Sequence, residues 1–457
     1  MEVEAAEAPR NQPVATPASG GLDSFFKLTE RGTTVGTEVK AGITTFMVMA
    51  YIIFVNPAIL SNAGVPVGAA AAATALVAGL LTIAMGLWAN YPIALAAGLG
   101  INGIVAFGLV LGSGLTWQGA MGVIVIEGLV ILALVVLGLR EAIMNAVPLS
   151  LKRAIGVGIG LFILFIGFFD GGLITAGEGV PVQFVFPTEP AAFMMLVGLL
   201  ITIVLYVLKV PAALLLSIVI TTILSLIVGV ASFPESFSVV PDFSTIGQFD
   251  LTNVWTLGAL AAVLTVFTIM LTDFFDTMGT ATAIGEQARL TTKDGNLPGI
   301  GRVLLVDSIG AAAGGAAGIS SNTSYIESAA GVAEGGRTGL TAVVTGLLFL
   351  VAVLLTPLAT MVPFAATAPV LVVVGYLMAT LIKDIDFVDV EEGFPALLGI
   401  ILMPLTFSIT VGIGAAFVAW VLIKVVRGKF DQIHPLMWLV GIAFVVYFAQ
   451  GWLNTVI

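Results

Sequence analysis

Asp273 and Asp276 lie one helical turn apart in Leu271-Thr272-Asp273-Phe274-Phe275-Asp276-Thr277-Met278-Gly279-Thr280, after a stretch, Leu257 to Leu271, that carries no charge. Such an apolar run is a membrane span, and a carboxylate at a bilayer centre costs roughly 2.5–3.5 kcal/mol on insertion scales. Three residues apart, the two acids share one helix face, which can point at a polar cavity instead of lipid. Two carboxyls this close, in segments without Lys or Arg, form the arrangement in which a group takes up and releases a proton near neutral pH. The competing reading is a structural pair, hydrogen-bonded to neighbouring helices.

Other acids stand in apolar surroundings. Glu327 follows Asn322-Thr323-Ser324-Tyr325-Ile326, and Ser324-x-x-Glu327 fits a capping box in which the Glu closes back on the helix start. An ionisable group at membrane depth is also a functional candidate by default, and the two roles are compatible. Glu127, in Val125-Ile126-Glu127-Gly128, and Asp307 read equally as relay members or as packed structural acids. Asp276, Asp273, Glu327 and Glu127 are the proton-coupling candidates. Asp170, Glu178, Asp384, Asp386, Asp389, Glu391 and Glu392 sit at span ends or in loops and are expected to be solvated.

These residues require a membrane scaffold. The chain is 59% hydrophobic and 9% charged, with mean hydropathy +1.14. Windows of about 20 apolar residues, the length a helix needs to cross the hydrocarbon core, recur along almost the whole chain. Spans are expected at about 40–61, 67–88, 93–110, 117–138, 150–170, 190–208, 211–231, 256–287, 300–316, 322–335, 338–362, 366–383, 393–408 and 409–427, with a further apolar segment at 435–455. Residues 1–20, rich in Ala, Pro and Glu, read as a disordered tail and lack the basic start of a signal peptide. Cysteine is absent, so there are no disulfides. The one histidine, His434, lies in a polar junction, which removes histidine metal sites and relays from the membrane. The net charge of −11 implies no nucleic-acid partner, and no cofactor or metal is expected.

Basic residues set the orientation. Loops expected inside carry Arg140, Lys152, Arg153, Lys209, Arg289, Lys293, Arg302, Arg337, Lys383, Lys424, Arg427 and Lys429, whereas loops 171–189 and 232–255 carry acids but no Lys or Arg. The pattern predicts a multi-pass protein of the cytoplasmic membrane with a cytoplasmic N-terminus and 14 spans.

An internal echo pairs Ala96-Ala97-Gly98-Leu99-Gly100-Ile101-Asn102 with Ala316-Ala317-Gly318-Ile319-Ser320-Ser321-Asn322. Each copy falls in the third segment of a seven-span half, 21–235 or 236–430, so the second copy enters the membrane inverted; 431–457 forms a C-terminal apolar segment. Interrupted spans at matching positions of inverted halves point to a transporter's binding site. In each copy the Gly-rich run is expected to be extended and the helix to start near the Asn, where free N–H groups and a partial positive charge face a midplane cavity. This adds Gly100 and Ser324 to the substrate-site candidates. The alternative is that the glycines serve close helix packing.

At these residues the chain resembles the nucleobase–cation symporter-2 superfamily, specifically its AzgA-like purine permeases. The resemblance runs through Gly42-Ile43-Thr44-Thr45-Phe46, Val55-Asn56-Pro57, Ala89-Asn90-Tyr91-Pro92, Gly98-Leu99-Gly100-Ile101-Asn102, Pro148-Leu149-Ser150-Leu151-Lys152, Gly158-Ile159-Gly160-Leu161-Phe162, Asp273 to Thr280, Tyr325 to Gly331, Gly335 to Leu340 and Met403 to Ile409. It implies an all-α fold of 14 spans in two seven-helix inverted repeats, divided into UraA-like core and gate domains, with broken third and tenth spans containing short extended strands. It also implies proton-coupled import of adenine, guanine or hypoxanthine. The family's binding positions fall on Asn102, Asp273 and Glu327, and Asp276 is implied in proton movement or helix packing. One departure stands out: Ala97 occupies the place where the family usually has proline. Carboxylates suit a purine, which presents ring N–H and amino donors, while Asn102 and half-helix N–H groups can serve its ring nitrogens or carbonyl. The expected partners are the purine, the proton and lipid; the sequence does not choose between a monomer and a homodimer. Two rivals remain: an anion transporter or channel on the same fold, which would lack deep carboxylates, and an intramembrane aspartyl protease using Asp276 with Asp307.

Overall fold

The computed structural model describes residues 21–139, 146–177, 179–233, 240–291 and 297–456. The tail 1–20 and the loop residues Arg140, Glu178 and Lys293 lie outside the described residues. Among the described residues, ten helical stretches have at least 18 residues and enough hydropathy to cross a membrane, and 18 residues rise about 27 Å. In chain order, α1 (Val35–Met49) and α2 (Ile52–Ser61) make one span broken at Ala50-Tyr51, and α3 (Val67–Ala84) follows. Strand β1 (Leu95–Ala97) leads into the half-helix α4 (Leu99–Gly103), which widens into a π-type helix over Ile104–Gly112. Next come α5 (Trp117–Val136) and α6 (Leu149–Asp170), then a small outer hairpin of β2 (Ile174–Thr175) and β3 (Gln183–Phe184), then α7 (Pro190–Val207) and α8 (Ala213–Val228). The second half contains α9 (Ala259–Gln287) and α10 (Ile300–Ala317), strand β4 (Asn322–Ser324) and the six-residue α11 (Ser328–Ala333). It closes with α12 (Gly339–Ala352), α13 (Phe364–Ala379), α14 (Val390–Thr406), α15 (Ile409–Val426) and α16 (Pro435–Val456).

Packing sorts these elements into two bundles. In one, α1 and α3 lie against α12, and α5 lies against α10 and α9. In the other, α6 packs on α13 and α14, α7 on α8 and α13, and α14 on α15. Small residues allow the close approaches, as is usual between membrane helices. At Gly86 and Gly339 an added Cβ would meet the other glycine's carbonyl oxygen at 2.3 Å and 2.0 Å respectively. The buried Glu38 of α1 ties the first bundle together by accepting from the N–H groups of Arg337, Thr338 and Thr341 and from both threonine hydroxyls, which serves the free donors at the start of α12. The C-terminal helix α16 lies against α15, with Phe444 against Phe417, and also touches α9.

The two halves meet at a crossing. Strands β1 and β4 pair antiparallel, with Leu95 opposite Ser324, Ala96 opposite Thr323 and Ala97 opposite Asn322. This pairing satisfies backbone groups that have no other partner at membrane depth. The turn into β4 places Gly318 and Ser320 at positive φ, 76° and 72°. The echoed residues occupy unlike elements: Ala96-Ala97 lie in β1, whereas Ala316-Ala317 end α10, and the strand that crosses β1 starts further on, at Asn322. The helices do not start near the asparagines either: Asn102 lies inside α4, and Asn322 lies in β4, ahead of a helix that begins at Ser328. The Gly-rich run 310–317 is helical, since its glycines allow α10 to pack on α5, β4 and the adjoining chain.

Candidate functional site

Helix α9 touches α4, β4 and α11, so it brings its acids to the crossing of the two interrupted spans. Asp273 is fully buried and its Oδ2 accepts from the Ser321 hydroxyl at 2.7 Å, while Oδ1 meets no donor. Asp276, one turn along, is exposed, and its charged neighbours are Asp273 and Glu327. The acids expected to share one face are therefore divided between the packed interior and open space. Helical twist turns positions three residues apart by about 60° relative to each other, enough to place one on each side of a cavity wall.

Glu327 is half-buried at the position preceding α11, and its Oε1 accepts from the Tyr51 hydroxyl at 2.6 Å. The expected capping box does not form. Glu327 makes no side-chain cap, and Ser324 sits in β4, where its N–H and hydroxyl both donate to Asp307 Oδ1 at 2.9 Å. Asp307 Oδ2 accepts from Thr277 at 2.8 Å, and Thr277 shares a 2.7 Å hydrogen bond with Thr323. Asp307 thus fastens β4 to α9 and α10. On the other strand, the Tyr325 hydroxyl donates to the Ala97 carbonyl at 2.5 Å and the Ala94 N–H donates to Ser328 Oγ at 3.0 Å.

Asn102 is fully buried in α4, and neither its amide nitrogen nor its oxygen has a partner. Buried polar side chains are nearly always hydrogen-bonded, so this orphan requires an explanation. Gly100 lies where α4 approaches α6: a Cβ there would stand 2.7 Å from Ile159 Cγ2. Glu127 of α5 is fully buried, and the charged groups acting on it are Asp273 and Asp307. Among the described residues, no group of three or more His, Cys, Asp or Glu is placed to hold a metal ion.

Sequence reasoning missed Tyr51, Ser321, Thr277 and Thr323, which hold the acids in place. Tyr51 stands at the break between α1 and α2, and short hydroxyl residues in an apolar chain give no periodic signal. The solvated reading of the loop acids is corrected at three positions. Glu391 is buried and bonded to Lys424 and Lys429, each at 2.7 Å, and Glu392 is bonded to Ser150. Asp170 accepts from Asn62 at 3.1 Å. The aspartyl-protease pairing lacks support, since Asp307 is engaged by Thr277 and Ser324 while Asp276 faces other acids.

Interrupted helices that cross at a buried polar site define a membrane transporter. A sequence profile described as "Permease family" matches residues 36–419. The chain is 40% identical over 432 residues to the adenine permease AdeP of Escherichia coli (strain K12), covering 94% of this chain and 96% of that one. It is 39% identical over 440 residues to the guanine/hypoxanthine permease PbuG of Bacillus subtilis (strain 168), covering 93% of this chain and 99% of that one. The fold is similar to the transmembrane domain of the cyanobacterial bicarbonate transporter BicA, with TM-score 0.62 and 15% identity, covering 83% of this chain and 97% of that one. The chain belongs to the matched permease family, within the nucleobase–cation symporter-2 superfamily and its AzgA-like group. That family consists of transporters, and the chain is a multi-pass membrane protein.

Proposed function

We propose that this protein imports purine nucleobases, namely adenine, guanine or hypoxanthine, across the cytoplasmic membrane by proton symport, with its N-terminus in the cytoplasm. The names of its relatives support the substrate class. The observation that carries the reading at the site is the set of orphaned polar atoms: both ends of the Asn102 amide and Asp273 Oδ1, beside Glu327, where α9 meets the two crossed spans. A flat heterocycle with donors and acceptors along its edge supplies what these groups lack. Asn102, Asp273 and Glu327 are assigned to the base. Gly100 keeps α4 close to α6, and Ser324 acts through Asp307. Asp276, Asp273, Glu327 and Glu127 are assigned to the proton. The reading includes 14 spans, with 21–235 and 236–430 as the inverted repeats.

The deep carboxylates disfavour an anion carrier, for which they would be repulsive, and the likeness to a bicarbonate transporter concerns the fold alone. One proton moving down 100 mV contributes ~2.3 kcal/mol and one pH unit ~1.4 kcal/mol, together enough for accumulation of a neutral base by roughly several hundred-fold. The test is uptake of radiolabelled adenine, guanine, hypoxanthine, xanthine and uracil in a permease-deficient strain, with and without an uncoupler. Uncoupler-sensitive uptake of the first three is expected. Uptake of none of them, or uptake that ignores the uncoupler, overturns the proposal.

A further inference from the structure

Behind the candidate site, three buried carboxyls face one another: Glu127 of α5, Asp273 of α9 and Asp307 of α10. The charged groups facing Glu127 from the elements packed against α5 are these two aspartates. The three differ in hydrogen bonding. Asp307 accepts from Thr277, the Ser324 N–H and the Ser324 hydroxyl, so both of its oxygens are engaged. Asp273 accepts from Ser321. Glu127 has no exposed surface, and no donor reaches either of its oxygens.

Asp273 is the carboxyl that acts most strongly on Glu127, across the packed helices α5 and α9, and two carboxylates have only acceptors to offer each other. An unpartnered ionised carboxylate in a dry interior is prohibitively costly. A single proton between the two removes both difficulties, because it turns one acceptor into a donor and halves the pair's charge. We infer that Glu127 and Asp273 form a carboxyl pair that holds one proton, and that this pair is the seat of the transported proton. The inference rests on the proton-symport reading above.

The geometry gives the proton a route. Asp276 is the exposed acid of α9, Asp273 lies one turn away in the packed interior, and Glu127 is buried on α5, which packs against α9. A proton taken up from water at Asp276 passes to Asp273 and comes to rest on Glu127 as an O–H donating to Asp273. Asp273 then carries the negative charge and accepts a donor of the base. Release reverses the sequence: the base leaves and the proton returns through Asp273 to Asp276, no other bond forms or breaks, and the unprotonated pair is the high-energy state that takes up the next proton. Asp307, already engaged by three donors, takes no part in this transfer and anchors β4.

Glu127→Gln keeps a permanent N–H donor toward Asp273 and so imitates the protonated acid. In proteoliposomes of the full-length protein, this variant is expected to exchange labelled base across the membrane with little dependence on pH. Its accumulation under an imposed proton gradient should fall from about several hundred-fold to equilibration. Glu127→Leu, which lacks the donor, should lose both. Accumulation by Glu127→Gln at the wild-type level, with one proton per base, overturns the inference. Should the variants fail to fold, the wild type still decides: infrared difference spectra must show a buried carboxylic-acid carbonyl band that base binding shifts, and absence of the band overturns the inference. If the wild type exchanges no purine, the symport reading itself fails, while the infrared band separately reports whether the shared proton exists.

Discussion

Tyr51 and Glu327 show how one hydroxyl fixes a half-buried carboxylate. The 2.6 Å bond occupies Oε1, leaving Oε2 as the oxygen free to receive a donor from a ligand. A hydrogen bond to a charged group is worth about 1.5–3 kcal/mol. Tyr51→Phe should therefore raise the KM for base uptake by about tenfold or more while changing kcat less, measured as concentration-dependent uptake at matched expression. Glu327→Gln should abolish uptake yet leave the protein in the membrane, because Glu327 makes no helix cap whose loss would destabilise α11. Uptake by Glu327→Gln close to the wild-type rate would remove this residue from the site.

At the scale of elements, the close approach of α4 to α6 offers a sharper test. Gly100→Ala places a methyl 2.7 Å from Ile159 Cγ2, an atom on a β-branched side chain with little room to rotate. Transport should fall markedly, and the second change Ile159→Ala should restore a substantial part of it. Gly339→Ala is harsher, since its methyl would meet the Gly86 carbonyl oxygen at 2.0 Å, and backbone cannot move aside. It should lower thermal stability in detergent whatever its effect on uptake. The many-span helical character, the two interruptions and the acids were legible in the sequence because hydropathy and charge are read one window at a time. The half-helix starts and the strand crossing were not. Ala/Gly-rich segments resemble one another by composition, and the pairing of Ala96 with Thr323 is decided by hydrogen bonds between strands more than 200 residues apart. The ring of hydroxyls from Thr277, Ser321, Thr323 and Ser324 was equally silent, because its meaning lies in three dimensions.

For the molecule as a whole, the proposed transport cycle moves the bundle bearing α1–α5 and α9–α12 against the bundle of α6–α8 and α13–α15. Asn62, at the end of α2, donates to Asp170, at the end of α6, and so joins the two bundles at one end. The chain has no native cysteine, so the pair Asn62→Cys and Asp170→Cys can be oxidised without side reactions. A disulfide there should arrest uptake, and reductant should restore it; full activity of the cross-linked protein would show that this end does not open. The crossing of β1 with β4 also bears on biosynthesis. While the ribosome is still making the second half, Leu95–Ala97 lacks the partner that its backbone needs within the bilayer. The nascent first half must wait, incompletely assembled, until residue 324 has been inserted. Two separately expressed halves should therefore be unstable alone and regain function when made together.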